Sequence, residues 1–115
     1  MAKRVSRQEV VPKEIVIKRL KEKAYKISKL FPLTALYLYG SYANGKPTSY
    51  SDVDVAVFSP AFGNNIIHET AILMEIFEET GLMVEPRVYS SKELEEAEKG
   101  TFLYEEVLKN GLRIY

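Results

Sequence analysis

The apolar positions of this sequence repeat with two different periods, and this predicts helices alternating with strands. Between Pro12 and Leu30 they recur at spacings of three and four, as on one face of a helix: Val16, Leu20, Ala24, Ile27 and Leu30. The run from Leu33 to Tyr39 is mostly apolar and aromatic and stops at Gly40, which is typical of a strand buried on both faces. A second strand is predicted from Val53 to Phe58.

The middle of the chain continues this alternation. Asn64 or Asn65 is placed to cap a helix that ends at Thr80 and Gly81. The apolar residues that this helix carries are Ile67, Ala71, Met74 and Phe77. A third strand is predicted from Leu82 to Tyr89.

The C-terminal part of the chain predicts shorter elements. Ser90 and Glu93 have the spacing of a capping box, which opens a charged helix through Ala97 until Gly100 interrupts it. A further set of helical turns ends near residue 111, and residues 112–115 form a short edge strand. Alternating helices and strands indicate an α/β (α+β) fold. We expect residues 1–115 to form a single domain in which residues 1–11 are a flexible N-terminal segment.

Composition narrows the class of protein. The 115 residues contain no cysteine, so neither a disulfide framework nor a thiolate zinc site is possible, and a cytoplasmic location is expected. No stretch approaches the ~20 apolar residues that a membrane span needs, and the basic start of the chain is not followed by an apolar run of signal-peptide length. We therefore expect no association with a membrane.

Charge is distributed unevenly although the net charge is zero. Residues 1–30 carry ten Lys or Arg and three Glu, whereas the remaining residues carry six Lys or Arg and thirteen Asp or Glu. A solvated helix face is the favoured explanation of the basic segment, so direct binding of nucleic acid is not expected. The asymmetry also offers a means of oriented docking to a partner protein or of self-association into a homo-oligomer.

The segment between the first two strands carries the chemistry. It begins Gly40-Ser41-Tyr42-Ala43-Asn44-Gly45 and ends Ser51-Asp52-Val53-Asp54. A glycine after a buried strand lets the backbone turn sharply and approach a ligand, and the free N–H groups of a helix that begins at Ser41 would receive phosphate oxygens. Taken alone, a Gly-Ser pair is more often a simple turn.

Asp52 and Asp54 stand two residues apart at the start of the second strand, so both carboxylates are expected on the same face. Neighbouring carboxylates repel unless a cation lies between them, and a hard divalent ion such as Mg²⁺ suits two oxygen donors. Glu85 is the only acid inside the third strand and could complete the site, although Pro86 beside it suggests an edge or a bulge. An ordinary polar turn is the structural alternative for the paired aspartates.

The ordered set Gly40-Ser41, Ala43, Gly45 and Ser51-Asp52-x-Asp54 resembles the signature of the minimal nucleotidyltransferases in the polymerase-β superfamily. This resemblance covers most of the chain and implies a mixed sheet flanked by helices. It also implies transfer of a nucleoside monophosphate, AMP from ATP, to a hydroxyl group. The implied nucleotide-binding residues are Gly40, Ser41, Gly45 and Ser51, and the implied catalytic and metal-binding residues, for two Mg²⁺ ions, are Asp52, Asp54 and Glu85.

The same resemblance implies a partner. Members of this size are often found with a HEPN-domain protein, acting as the antitoxin that adenylylates a HEPN RNase. Two positions depart from the family pattern: Asn44 stands where many members have a basic residue, and Glu85 stands where the third acid is often Asp. These departures support the alternative hypothesis of a non-catalytic module that neutralises or regulates a partner by occlusion.

Overall fold

The computed structural model describes residues 10–49 and 51–115. Its four helices are α1 (Lys13–Leu30), α2 (Ile66–Glu78), α3 (Ser91–Glu95) and α4 (Leu103–Lys109), the last with π-type hydrogen bonding. Its four strands are β1 (Ala35–Tyr39), β2 (Val53–Phe58), β3 (Val84–Tyr89) and β4 (Leu112–Arg113). A single 3₁₀ turn, Gly40–Tyr42, follows β1 directly.

The four strands form one mixed sheet in the order β3-β2-β1-β4. β1 is antiparallel to β2 and to β4, whereas β2 and β3 are parallel. Parallel neighbours need a crossover connection, and α2 provides it between β2 and β3. A mixed sheet flanked by helices confirms the predicted α+β fold.

The two faces of the sheet are covered by different helices. The side chains of Val53, Val55 and Val57 belong to the larger core cluster, which also contains the buried apolar residues of α1 and α2. Ala56 and Phe58 alternate with them and pack on the opposite face with Val107 of α4. Position 54 therefore belongs to the face that α4 covers.

The apolar pattern predicted α1 more accurately than α2. Val16, Leu20, Ala24 and Ile27 are buried as predicted, although Leu30 at the end of α1 is 59% exposed. In α2 only Phe77 of the four expected apolar residues is buried, and Ile67 and Met74 are 85% and 52% exposed. Apolar residues lie on both sides of α2, so helical spacing alone did not identify the side that meets the sheet. Leu73 and Ile76 make that contact instead.

The ends of the chain follow the prediction in part. Ser90 and Glu93 form the predicted capping box, but α3 ends at Glu95 rather than continuing through Ala97. The short edge strand is confirmed as β4, next to β1. Most of the segment predicted to be flexible, residues 1–9, lies outside the described residues. Within the described part, no helix has both the length and the apolar character needed to cross a bilayer.

Candidate active site

Asp54 and Glu85 lie side by side on neighbouring strands. In the parallel pairing of β2 and β3, Asp54 is the register partner of Glu85, so both side chains leave the same face of the sheet. The pairing runs without a break from Val53 and Val84 to Phe58 and Tyr89, so Pro86 introduces no bulge. β3 is an edge strand, as Pro86 suggested. The two carboxyl groups line one cavity of about 590 Å³.

Asp52 has a different position from the one expected. It precedes β2, which begins at Val53, so strand alternation does not fix the direction of its side chain. Asp52 lines a second cavity, of about 260 Å³, and this cavity shares Met74 and Glu85 with the first. Among residues 10–49 and 51–115, no three His, Cys, Asp or Glu side chains are arranged together as a metal site. The three predicted ligands therefore line two cavities that share Glu85, without forming a closed cluster.

The pKa of the Asp54 carboxyl reflects the charges that surround it. Burial raises the pKa of the Asp54 carboxyl, and the negative charges of Glu85 and Asp52 raise it further, whereas Arg87 acts in the opposite direction. Two further carboxylates thus act on Asp54 against a single cation, and carboxylate oxygens are the donors that a hard divalent ion prefers, although these three acids do not stand together as a three-residue metal site among the described residues.

Gly40 is required by its contact with Asp54. Its φ of +77° lies in the left-handed region, and a Cβ placed on it would lie 2.5 Å from Asp54 Oδ2. The chain then turns through one 3₁₀ turn, in which the N–H groups of Ala43 and Asn44 donate to the carbonyl of Gly40. The helix expected to begin at Ser41 is thus limited to this turn. Glycine is needed at position 40 because it leaves room for the Asp54 carboxylate. The sequence alone did not supply this reason.

Gly45 and Ser51 shape the connector that joins the turn to Asp52. Gly45 has a φ of +79°, but a Cβ there would meet nothing within 4 Å, so backbone conformation rather than close approach requires glycine. The Ser51 hydroxyl accepts a hydrogen bond of 2.8 Å from the Thr48 backbone N–H. Both residues have a structural role in the connector, and their predicted contact with nucleotide stays a prediction.

Three residues near Asp54 were not identified as site residues from the sequence: Tyr39, Arg87 and Phe102. Arg87 is two residues after Glu85 on β3, so its side chain leaves the same face, and its guanidinium lies 4.8 Å from the centroid of the Phe102 ring. Burial raises the pKa of Tyr39 to about 12, with nearby Arg87 lowering it and Asp54 raising it. The sequence contained a signal for Arg87, because a residue two positions from Glu85 on a strand lies on the same face of the sheet. No comparable signal existed for Phe102, which lies far away in sequence.

Tyr42, inside the same 3₁₀ turn, is only 4% exposed and belongs to the core between the sheet and α1, so its ring is not available to stack on a nucleotide base. Tyr42 therefore anchors the 3₁₀ turn to the core rather than presenting its ring to a ligand.

Comparison with known proteins identifies the family. Residues 12–114 match the nucleotidyltransferase domain family. The chain belongs to this family. No curated protein sequence matches this nucleotidyltransferase.

Several solved structures share the fold of this nucleotidyltransferase. A Sulfolobus solfataricus protein described as a nucleotidyltransferase is 19% identical with a TM-score of 0.60, and the match covers 88% of this chain and 80% of that one. A toxin–antitoxin structure with AMP-PNP is 23% identical with a TM-score of 0.58, covering 91% and 73%. A tri-AMPylated Shewanella oneidensis HEPN toxin in complex with an MNT antitoxin gives 23% identity and a TM-score of 0.50, covering 83% and 71%.

Proposed function

We propose that this nucleotidyltransferase moves AMP from ATP to a hydroxyl group of a HEPN-type partner protein and thereby acts as an antitoxin. The observation that carries the proposal is the juxtaposition of Asp54 and Glu85 in register on parallel strands, with the Gly40 turn against the Asp54 carboxylate. Family membership supports nucleotidyl transfer. The likeness to a complex of an AMPylated HEPN toxin with an MNT antitoxin supports the partner and the acceptor.

The reaction is a substitution at phosphorus. The acceptor hydroxyl oxygen forms a bond to the α-phosphorus of ATP, the bond from that phosphorus to the bridging oxygen of the β-phosphate breaks, and pyrophosphate leaves. The acceptor hydroxyl loses its proton, and we assign Glu85, the exposed member of the acid pair, as the base that takes it. Glu85 lies beside Asp54, and its carboxylate is at the wall of the 590 Å³ cavity.

Asp52, Asp54 and Glu85 would hold Mg²⁺, two ions in all, and Gly40 and Ser41 would receive the triphosphate. Bound Mg²⁺ supplies neutralisation of the phosphate charge and makes an adjacent hydroxyl easier to deprotonate. The protein contributes the positions of the carboxylates: β2 fixes Asp54, β3 fixes Glu85, and Gly40 leaves space for the Asp54 side chain to stay in place. An acceptor from a separate protein fits a cavity that lies at the open edge strand of the sheet.

The alternative is that the protein is a non-catalytic module, which neutralises or regulates its partner by occlusion. The observation in its favour is the absence, among the described residues, of a three-residue group arranged to hold a metal ion. In this alternative the same cavity edge would contact the partner without any transfer of AMP.

One experiment separates the two functions. The protein is incubated with Mg²⁺, ATP labelled at the α-phosphate, and a purified HEPN protein encoded next to it, with the Asp52→Asn and Asp54→Asn variants as controls. Label on the HEPN protein that disappears with both variants supports the transferase. A stable complex without label, unchanged in both variants, supports occlusion and contradicts the transferase proposal.

A further inference from the structure

Arg87 brings positive charge to a cavity whose other charged lining residues, among those described, are acids. Among the described residues that line the 590 Å³ cavity, Arg87 is the only cation, and Asp54 and Glu85 line the same space. In register, Arg87 follows Asp54 and Glu85 by one step along the same face of the sheet, opposite Ala56 of β2. A negatively charged ligand in this cavity therefore has one guanidinium available to it.

The guanidinium of Arg87 is held in position by aromatic residues. The Phe102 ring lies 4.8 Å from its central carbon, at a distance typical of a cation–π contact. The hydroxyls of Tyr39 and Tyr89 approach it from β1 and from its own strand. Phe102 is itself fixed by an edge-to-face contact with Tyr39, with ring centroids 5.7 Å apart. These contacts orient the side chain before any ligand binds.

The hydroxyls of Tyr39 and Tyr89 take up part of the hydrogen-bonding capacity of Arg87 and leave the rest of its donors unused. A guanidinium has five N–H donors, and a cation–π contact uses its face rather than its N–H groups. In the part of the chain that the structure describes, the salt bridges join other residues and none includes Arg87. An oriented guanidinium with free donors is the side chain best suited to bind phosphate through paired hydrogen bonds.

We propose that Arg87 binds the phosphate groups of the nucleotide, on the opposite side of the acid pair from the Gly40 turn. This inference rests on the proposed nucleotidyl transfer. With the carboxylates of Asp54 and Glu85 engaged by the divalent cation, Arg87 supplies direct positive charge to the triphosphate and to the departing pyrophosphate. Phe102 and Tyr39 are positioning residues for the guanidinium.

Calorimetric titration with two probes tests this role. The probes are ATP and inorganic tripolyphosphate, each with Mg²⁺, titrated into the unaltered protein and into the Arg87→Met and Arg87→Lys variants. Arg87→Met should weaken both ligands by the same factor, about 10- to 100-fold, as expected for a lost hydrogen bond to a charged group. Arg87→Lys should give a smaller loss for both ligands, because lysine keeps the charge without the paired donors.

Arg113 provides a matched control. Its guanidinium also lies over an aromatic ring, that of Tyr37, at 5.8 Å, and it donates to the backbone carbonyls of Thr34 and Tyr115, which do not line the cavity. Arg113→Met should leave both affinities unchanged. Thermal unfolding of all variants identifies any loss caused by misfolding, and Arg87→Lys, which keeps the charge over the ring, still tests the role if Arg87→Met does not fold.

The outcomes separate this inference from the proposed function. ATP and tripolyphosphate affinities of folded Arg87 variants equal to those of the unaltered protein would overturn the role of Arg87 alone. Normal ATP affinity with lost transfer would also overturn it, because the side chain would then serve the acceptor. An unaltered protein that binds neither probe, or an Asp54→Asn variant that binds both normally, would contradict the proposed function as well.

Discussion

Comparing Gly40→Ala with Gly81→Ala distinguishes the effect of backbone strain from the effect of displacing the Asp54 carboxylate. At Gly40 an added Cβ would lie 2.5 Å from Asp54 Oδ2, whereas at Gly81, with nearly the same φ, the nearest atom is Arg19 Nη1 at 4.0 Å. The φ values are +77° and +74°. Gly40→Ala and Gly81→Ala therefore introduce the same backbone strain, but only the first one meets a proposed catalytic side chain.

The expected stability cost is similar for the two variants. A left-handed conformation costs a residue with a Cβ about 1–2 kcal/mol, and the reduced freedom of the unfolded chain offsets about 0.4–1 kcal/mol of this. The net loss is therefore at most about 1.6 kcal/mol, which for a chain of this length lowers Tm by no more than roughly 6 °C. The atom that Gly40→Ala meets is the end of a rotatable side chain, so the Asp54 carboxylate turns aside at little further cost in folding free energy.

The expected functional cost is very different. Displacement of the Asp54 carboxylate should reduce AMP transfer on the order of 100-fold, as misplacement of a reacting group by about 1 Å commonly does. Gly81→Ala should transfer AMP at the rate of the unaltered protein. The assays are thermal unfolding and transfer of labelled AMP at saturating Mg²⁺ and ATP. If Gly40→Ala kept full activity, the Asp54 carboxylate would have no role in the reaction, and equal losses in both variants would assign the effect to strain.

Two further predictions concern glutamates with different roles. Glu85→Gln should lower turnover about 10²- to 10⁴-fold while changing ATP affinity much less, because proton transfer is felt mainly in the transition state. Single-turnover kinetics and calorimetry measure the two quantities. Equal losses in kcat and in ATP affinity would contradict this role of Glu85. Glu79 joins α2 to α1 through Lys23 and Lys26 at 2.6 and 2.9 Å, and these lysines hold its pKa at about 2, below its ordinary value of 4.5. Because the folded-state pKa is the lower one, the stabilisation is present above pH 4.5 and is lost as the pH falls towards 2. Glu79→Gln should therefore lower Tm at pH 7 more than the control Glu75→Gln does, and the effect of Glu79→Gln should disappear near pH 2.

Local patterns in the sequence predicted the elements well. The apolar run of β2 is bounded by polar residues on both sides, and its predicted limits, Val53 and Phe58, are those of the structure. The capping box of Ser90 and Glu93 is equally local, because both partners lie within one helical turn. The face of α2 was less predictable, since Ile67 and Met74 have the correct spacing and are exposed.

The arrangement of the site depends on contacts that the sequence does not encode locally. The spacing of Asp52 and Asp54 indicated paired acids, but the register that places Glu85 beside Asp54 follows from parallel pairing through the α2 crossover. The same pairing brings Arg87 to the cavity wall. Phe102 reaches Arg87 only through the packing of the C-terminal part of the chain against the sheet. A pattern of one or two residues cannot report such tertiary contacts.

In the proposed function, Asp52 and Asp54 direct the transfer of AMP to a partner protein. The most direct test is the intact mass of a neighbouring HEPN protein after co-expression with the unaltered protein, with Asp52→Asn and with Asp54→Asn. We expect one or more added AMP groups on a tyrosine, serine or threonine of the HEPN protein with the unaltered protein, and none with either variant, while both variants still fold. An unmodified partner in all three samples, or the same modification in all three, would contradict the account.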